Sequence, residues 1–303
     1  MAIALTPTNM NRAYVIGSPI RHSISPRIHN AAFAALGIDA RYEAVEVLPG
    51  ALQDWVSRVR GPQLLGFNVT VPHKEAIMPF LDEIAGDAAL AGAVNTVVVT
   101  APPPSPSPVE GEGGDELPQL STRLIGLNTD TLGFRRSLAE EAGMALRGRR
   151  VVVLGAGGAA RAIGVVALQD GAASLVVANR HVDRAERLLT ALNELNATTA
   201  TSAVALASEA LVHAIGEADV VVNATSVGLA SDEIPIDPSL ITPRSLVVDL
   251  VYNPRETALS RAARDRGAAT LGGIGMLIYQ AAAAFEAWSG VEAPIDVMRE
   301  AAE

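Results

Sequence analysis

Short runs rich in Val, Ile and Leu alternate along this chain with longer Ala-rich stretches whose apolar residues recur at helical spacing. That is the pattern of a parallel α/β protein. In the first half the spacing predicts strands over residues 13–17, 41–47, 64–70 and 94–100, and helices over 26–36, 50–58 and 73–80. The second half opens with a helix over 132–145 and then a nearly pure aliphatic strand at 150–154, as a strand buried on both faces requires. Helices over 159–169, 182–195 and 257–266 and strands over 174–178, 219–224, 245–250 and 268–271 follow. The final predicted helix, 275–288, has no strand after it and is expected to return to the first half of the chain.

One stretch breaks the alternation. Residues 101–122 hold Pro102, Pro103, Pro104, Pro106, Pro108 and Pro118 among Gly111, Gly113, Gly114 and several acids, the composition of a solvated insertion. Strand-like sequence resumes at 123–128, so the stretch reads as a long hairpin tip within the first domain rather than a linker between domains.

At 303 residues the chain is long enough for about two cores. It has no cysteine, which excludes disulfides, thiolate catalysis and Cys-ligated zinc, and fits a reducing, cytoplasmic setting. No apolar run reaches the roughly 18 residues of a membrane span. Residues 1–12 lack a basic segment followed by an apolar one, so no signal peptide is expected. A net charge of −10 argues against nucleic acid as a partner, and means that an anionic ligand needs local positive charge. The five histidines (His22, His29, His73, His181, His213) show no metal spacing, so no metal is expected.

Lys and Arg together number 23, and Lys74 is the single lysine, leaving 22 arginines. Arginine serves wherever only a cation is needed, but a guanidinium does not exchange its proton and an amine does. Chance survival of one lysine is the plain alternative; proton transfer is the specific one.

Gly155-Ala156-Gly157-Gly158-Ala159-Ala160 follows the aliphatic strand and opens a helix, matching the dinucleotide fingerprint G-x-G-x-x-A. The first glycine makes the turn, the second leaves room for a pyrophosphate, and the helix N-terminus supplies N–H donors. An NAD site would place an acid at the end of the second strand, about 20 residues on. Here Asn179 stands there, followed by Arg180 and Arg184, which suit the 2′-phosphate of NADP. As ordinary solvated residues at a helix start, the two arginines would mean nothing, and Asp183 between them keeps that reading open.

Three polar segments remain where strands meet loops. Ser23 and Ser25 alternate before Pro26, so both hydroxyls can face one carboxylate, unless Ser25 is merely a helix cap. The strand around Asn68 and Thr70 runs through Pro72 to Lys74, at the expected start of a helix. Asn95, Asn128 and Asp130 interrupt otherwise apolar strands.

Taken with these, the blocks Ser23-x-Ser25-Pro26, Asn68-Val69-Thr70-Val71-Pro72-x-Lys74, Gly92-Ala93-Val94-Asn95-Thr96 and Asn128-Thr129-Asp130 resemble the shikimate dehydrogenases. So do the glycine loop, Asn179-Arg180, Asn223-Ala224-Thr225-Ser226, Val251-Tyr252-Asn253-Pro254 and Gly273-Ile274-Gly275-Met276-Leu277, in family order over nearly the whole chain. The resemblance implies a two-domain α/β fold. An N-terminal α/β substrate domain over 1–129 would be completed by 273–303, with a doubly wound, Rossmann-type NADP domain over 130–272 between them. It implies reversible reduction of 3-dehydroshikimate to shikimate, in chorismate and aromatic amino-acid biosynthesis, by a monomer or homodimer. Lys74 would be the acid/base with Asp130; a structural salt bridge is the alternative. Ser23 and Ser25, assisted by Tyr252, would bind the substrate carboxylate, and Thr70, Asn95, Asp130 and Gln280 the ring hydroxyls. Gly155, Ala156, Gly157, Gly158, Ala159, Asn179, Arg180 and Arg184 would hold the cofactor, with Thr225, Leu250 and Gly273 near its nicotinamide. Two positions depart from the family: His181 replaces a common threonine, and Gly272 a usual aspartate. An NAD-dependent quinate/shikimate dehydrogenase and a nucleotide-sensing regulator without turnover are the rival expectations.

Overall fold

The computed structural model describes residues 10–100, 122–192 and 198–303. The first half contains β1 (Asn11–Gly17), α1 (Ser25–Ala35), β2 (Ala40–Glu46), α2 (Leu52–Val59), β3 (Leu64–Val69), β4 (Glu83–Ile84), α3 (Asp87–Ala91), β5 (Thr96–Thr100) and β6 (Arg123–Leu127). Its strands form one mixed sheet in the order β2-β1-β3-β5-β6-β4. β1 pairs in parallel with β2 and β3, while β3–β5 and β5–β6 are antiparallel. Thr100 lies opposite Arg123, so the Pro-rich insertion joins two neighbouring strands; its own residues, 101–121, lie outside those described.

The second half contains α4 (Asp130–Ala142), β7 (Arg150–Leu154), α5 (Gly158–Asp170), β8 (Ser174–Asn179), α6 (Val182–Leu192), β9 (Ala200–Ala205) and α7 (Glu209–Glu217). After these come β10 (Val220–Asn223), β11 (Leu246–Asp249), α8 (Ala258–Asp265), β12 (Ala269–Gly272), α9 (Gly273–Ser289) and α10 (Ile295–Ala301). The six strands form an all-parallel sheet, β12-β11-β10-β7-β8-β9, the doubly wound order in which the chain reverses direction between β7 and β10. The aliphatic run of β7 follows from this position. Val151 and Val153 enter one core and Val152 and Leu154 the core on the opposite face, so no residue of the strand interior meets water.

The expected helix over 73–80 does not form. Pro79 has no N–H for the carbonyl of Glu75, and the chain tightens there into a 3-10 turn, Met78–Phe80. Lys74 therefore sits in a turn, not at a helix start. β9 carries no strong apolar signal because it is the sheet edge, its Ala-Thr-Ser composition only half-buried. α4 ends at Gly143, in the left-handed conformation with φ +60°, earlier than its apolar pattern suggests.

α9 leaves the parallel sheet and buries Ile278, Ala281, Ala282, Phe285 and Trp288 with Ile28, Phe33 and Tyr42 of the first half. Trp288 Nε1 donates to Val97 O of β5 at 2.9 Å. α9 also crosses α4 closely enough that a Cβ on Gly133 would lie 2.7 Å from Met276 O. Among the described residues, no helix is long and apolar enough to cross a membrane.

Beneath α9, His29 is completely buried and stacked on Tyr42, ring centroids 4.3 Å apart, with no hydrogen bond to either ring nitrogen. Burial lowers its pKa from 6.5 to about 3. The unfolded chain therefore takes up a proton below pH 6.5 that the folded chain refuses, and stability present above that pH falls as the pH drops toward 3. Between pH 6.5 and about 4.5 this one group should remove about 2 kcal/mol. His29→Phe should show a correspondingly smaller acid loss in denaturant titrations at the two pH values. An identical loss in both proteins would show that His29 is not protonation-linked to folding.

Candidate active site

The C-terminal ends of the first sheet's strands carry most of the polar residues singled out in the sequence. β3 runs into the turn holding Lys74, and the main chain there is tied to the loop before β5 by Val94 N donating to Lys74 O at 2.7 Å. Lys74 Nζ donates to Asp130 Oδ2 at 2.5 Å. Their side chains are only 14% and 7% exposed, so water does little to screen the pair. Asp130 opens α4, where the helix dipole favours an anion, and its N–H is taken by Asn128 Oδ1 at 3.0 Å.

The other carboxylate oxygen is also engaged. Asn95 Nδ2 donates to Asp130 Oδ1 at 2.8 Å, and the amide has its orientation fixed because Thr129 N–H donates to Asn95 Oδ1 at 2.7 Å. Gln280, from α9, joins through Oε1, which accepts from Asn95 Nδ2 at 3.4 Å and Thr129 Oγ1 at 3.5 Å. A second layer supports the first: Thr96 Oγ1 donates to Asn95 Oδ1, Asn68 Nδ2 donates to Thr96 Oγ1, and Tyr42 OH donates to Asn68 Oδ1 at 2.6 Å.

Ser23 and Ser25 lie together at the start of α1, Ser25 N–H donating to Ser23 Oγ at 3.3 Å. Ile24 is the cap residue and no side chain caps the helix, so the Ser25 hydroxyl is not used in capping. Among the described residues, Ser25 Oγ, Thr70 Oγ1 and Tyr252 OH have no protein hydrogen-bond partner. None of these, nor Ser23, is hydrogen-bonded to the Lys74 cluster. Burial pushes the Tyr252 phenol above its usual pKa, keeping it a hydrogen donor.

The second sheet presents its loop where the chain reverses. Gly155 has φ +106°, and a Cβ there would lie 3.0 Å from Ala224 O and 3.2 Å from Thr225 Cγ2. Gly157 caps α5 with an extended backbone, and nothing lies within 4 Å of where its Cβ would be. Bare space before unpaired helix N–H groups is what a pyrophosphate needs. Ala156 and Ala159 complete the turn. Thr225 Oγ1 donates to Asn223 Oδ1 at 2.7 Å, Leu250 N to Asn223 O at 3.1 Å, and a Cβ on Gly273 would run into Leu250 O. Thr225, Leu250 and Gly273 thus share one rim across the ends of β10, β11 and the start of α9. Gly272 is the extended cap of α9 and, unlike the aspartate usual in the resembled family, offers it no side-chain acceptor.

At the end of β8, Asn179 braces the following turn by donating to His181 O at 2.9 Å. Arg180 and Arg184 are exposed and make no ion pair among the described residues. Asp183 is occupied: Arg187 Nη1 donates to it at 2.7 Å and holds its carboxyl below the usual range. Its charge is thereby partly neutralised beside two free guanidiniums, a donor set suited to a 2′-phosphate. No three His, Cys, Asp or Glu side chains among the described residues are grouped to hold a metal ion.

The profile described as the shikimate dehydrogenase substrate binding domain matches residues 15–97, shikimate / quinate 5-dehydrogenase 137–258, and the shikimate 5'-dehydrogenase C-terminal domain 273–303. Shikimate dehydrogenase (NADP(+)) of Methanopyrus kandleri is 42% identical over 95% of this chain and 93% of its own. The chain belongs to the shikimate dehydrogenase family. A shikimate dehydrogenase crystallised with NADP+ superposes with a TM-score of 0.81 at 36% identity, covering 97% of this chain and 94% of that one. The Thermus thermophilus enzyme in complex with NADP(H) and shikimate gives 0.76 at 34% identity, covering 97% and 98%.

Sequence reasoning missed two parts of the site. The Tyr42–Asn68–Thr96 layer has no local signal, because its members come from three separate strands or strand ends. The contact between the two halves was also missed: a Cβ on Gly158, in the nucleotide loop, would lie 2.7 Å from Lys74 Cδ and 3.1 Å from its Cβ. In this family member the third glycine of the loop makes room for the lysine stem. Gly158→Ala should push that stem aside and loosen the Asp130 contact. Because Lys74 is the only lysine, its acetylation rate reads this directly and should rise in the variant; an unchanged rate would mean the stem has room to spare.

Proposed function

We propose that this chain interconverts 3-dehydroshikimate and shikimate with NADP as cofactor, a step of aromatic amino-acid and chorismate biosynthesis. The observation that carries this reading is the buried Lys74–Asp130 pair, packed against the glycine loop. When bound, NADPH supplies the hydride that reduces the substrate ketone. The oxygen left with the carbonyl electron pair must gain a proton, and Lys74 Nζ is the group that gives it; in the oxidative direction the neutral amine takes it back. Asp130 holds the ammonium in line, and orientation of this kind lowers the barrier by fixing the approach before the reaction.

The remaining residues sort by the chemistry they offer. Ser23 and Ser25 present hydroxyls for the substrate carboxylate, with Tyr252 as a further donor. Thr70, Asn95, Asp130 and Gln280 address the ring hydroxyls. Gly155, Ala156, Gly157, Gly158 and Ala159 cradle the pyrophosphate, Asn179 shapes the adenosine turn, and Arg180 and Arg184 take the 2′-phosphate. Thr225, Leu250 and Gly273 line the nicotinamide side. On this reading residues 1–129 with 273–303 form the substrate domain and 130–272 the NADP domain. The enzyme works in the cytoplasm as a monomer or homodimer.

Steady-state rates at the reduced-nicotinamide absorbance band, with NADP or NAD and shikimate or quinate, test the reading. Turnover should be fastest with NADP and shikimate. A preference for NAD and quinate would assign the chain to the other dehydrogenase of this fold, and binding without turnover would make it a sensor. Arg180→Ala should weaken NADP by roughly 1.5–3 kcal/mol and leave NAD nearly unchanged, because only NADP loses a charge-assisted bond. Equal losses for both cofactors would remove Arg180 from the 2′-phosphate site.

A further inference from the structure

Arg161 lies on α5, one helical turn after Gly158, so the two share a face of the nucleotide helix. That face meets the first half of the chain, where Gly158 receives the stem of Lys74. The Arg161 side chain is only 13% exposed, although it carries a permanent charge. Its Nη2 pairs with Glu75 Oε2 at 3.0 Å, and its Nη1 donates to Ala91 O at 3.3 Å, at the end of α3. Its Nε is buried and has no partner. A guanidinium so far withdrawn from water, with one of its donors unsatisfied, is placed there at an energetic cost.

The two segments it grips are informative. Glu75 follows Lys74 in the same turn. Ala91 and Gly92 lead directly into the loop that carries Asn95, and that loop is itself bonded to the Lys74 main chain through Val94. Lys74 and Asn95 both hold the Asp130 carboxylate, one on each oxygen. One cation on the cofactor helix therefore spans both segments that deliver those donors.

We propose that Arg161 is a positioning residue: it sets the distance between the nucleotide loop and the proton-donating lysine by clamping the Lys74 turn and the Asn95 loop to α5. This rests on Lys74 being the proton donor. Arg161 touches neither reacting group in this arrangement, so its effect is on geometry, and a small misplacement lowers turnover rather than binding.

Arg161→Met keeps the stem and removes both contacts; Glu75→Gln removes only the charge of one. Arg161→Met should lower kcat between about tenfold and 100-fold, with KM for shikimate and the equilibrium dissociation constant of NADP+ changed much less. Glu75→Gln should shift kcat in the same direction by a smaller factor, and the double variant should be no worse than Arg161→Met alone. Arg161→Lys, which keeps charge but not the two-pronged reach, should restore little. Acetic anhydride labelling of Lys74 in the presence of saturating NADP+ provides a readout independent of turnover and should be severalfold faster in Arg161→Met than in the wild type. Should Arg161→Met not fold, Glu75→Gln carries the kcat and labelling measurements alone. Unchanged labelling with nearly unchanged kcat would overturn the proposal. A loss of kcat matched by loss of NADP+ binding would also overturn it, making Arg161 a cofactor ligand. If Lys74 proves not to be the proton donor, labelling still reports whether Arg161 positions it, so the two failures are distinguishable.

Discussion

An ammonium and a carboxylate taken out of water stabilise a protein only if each finds full compensation, and loss of one partner from such a pair costs about 3–5 kcal/mol. The Asp130 carboxylate meets that condition on both oxygens, while the Lys74 ammonium has Asp130 as its protein partner. The carboxylate rests on a helix N-terminus and receives Asn95 on its second oxygen, while the lysine turn is bonded to the Asn95 loop. Asn95 in turn has its amide held by a backbone N–H and by Thr96, with Asn68 and Tyr42 behind. The Asn95 amide is thus oriented from the buried side outward, and the Lys74 stem of the charged pair lies against the glycine loop.

The two sheets contribute differently to this arrangement. The parallel sheet supplies a rigid edge at its reversal point, where Gly155 turns, Gly157 leaves open space and Thr225 closes the far side. The mixed sheet supplies the polar donors from strand ends. α9 joins them: it begins against Leu250 on the cofactor rim, carries Gln280 into the Asn95 cluster, and anchors through Trp288 on β5. Close packing of α4 on α9 at Gly133 keeps Asp130 and Gln280 in register.

Much of this was legible in the sequence, for identifiable reasons. The glycine loop, the aliphatic strands on both sides of it and the absence of an acid at Asn179 each have a local physical cause, so they can be read without neighbours. The solitary lysine stood out because 22 arginines had taken every other cationic position. What could not be read was long-range. The edge strand β9 had too little apolar character to declare itself, and Arg161 looked like any helix-surface arginine, whereas the Pro79 turn has a local cause that the helical pattern masked. Nothing in a one-dimensional pattern says that Gly158 must accommodate a side chain 84 residues earlier, since that requirement exists only once the two halves meet.

The central claim is that Lys74 transfers a proton and does not merely hold a charge. Substituting Lys74→Arg isolates this, because arginine preserves the cation beside Asp130 but cannot release its proton at working pH. The deciding measurement is kcat for shikimate oxidation by the Lys74→Arg enzyme beside Lys74→Ala, with folding checked by thermal unfolding. The account predicts that arginine is nearly as damaging as alanine, and that both lower kcat far more than they raise KM. An arginine variant that kept most of the wild-type kcat would contradict it, leaving Lys74 an electrostatic anchor and the proton to come from another group.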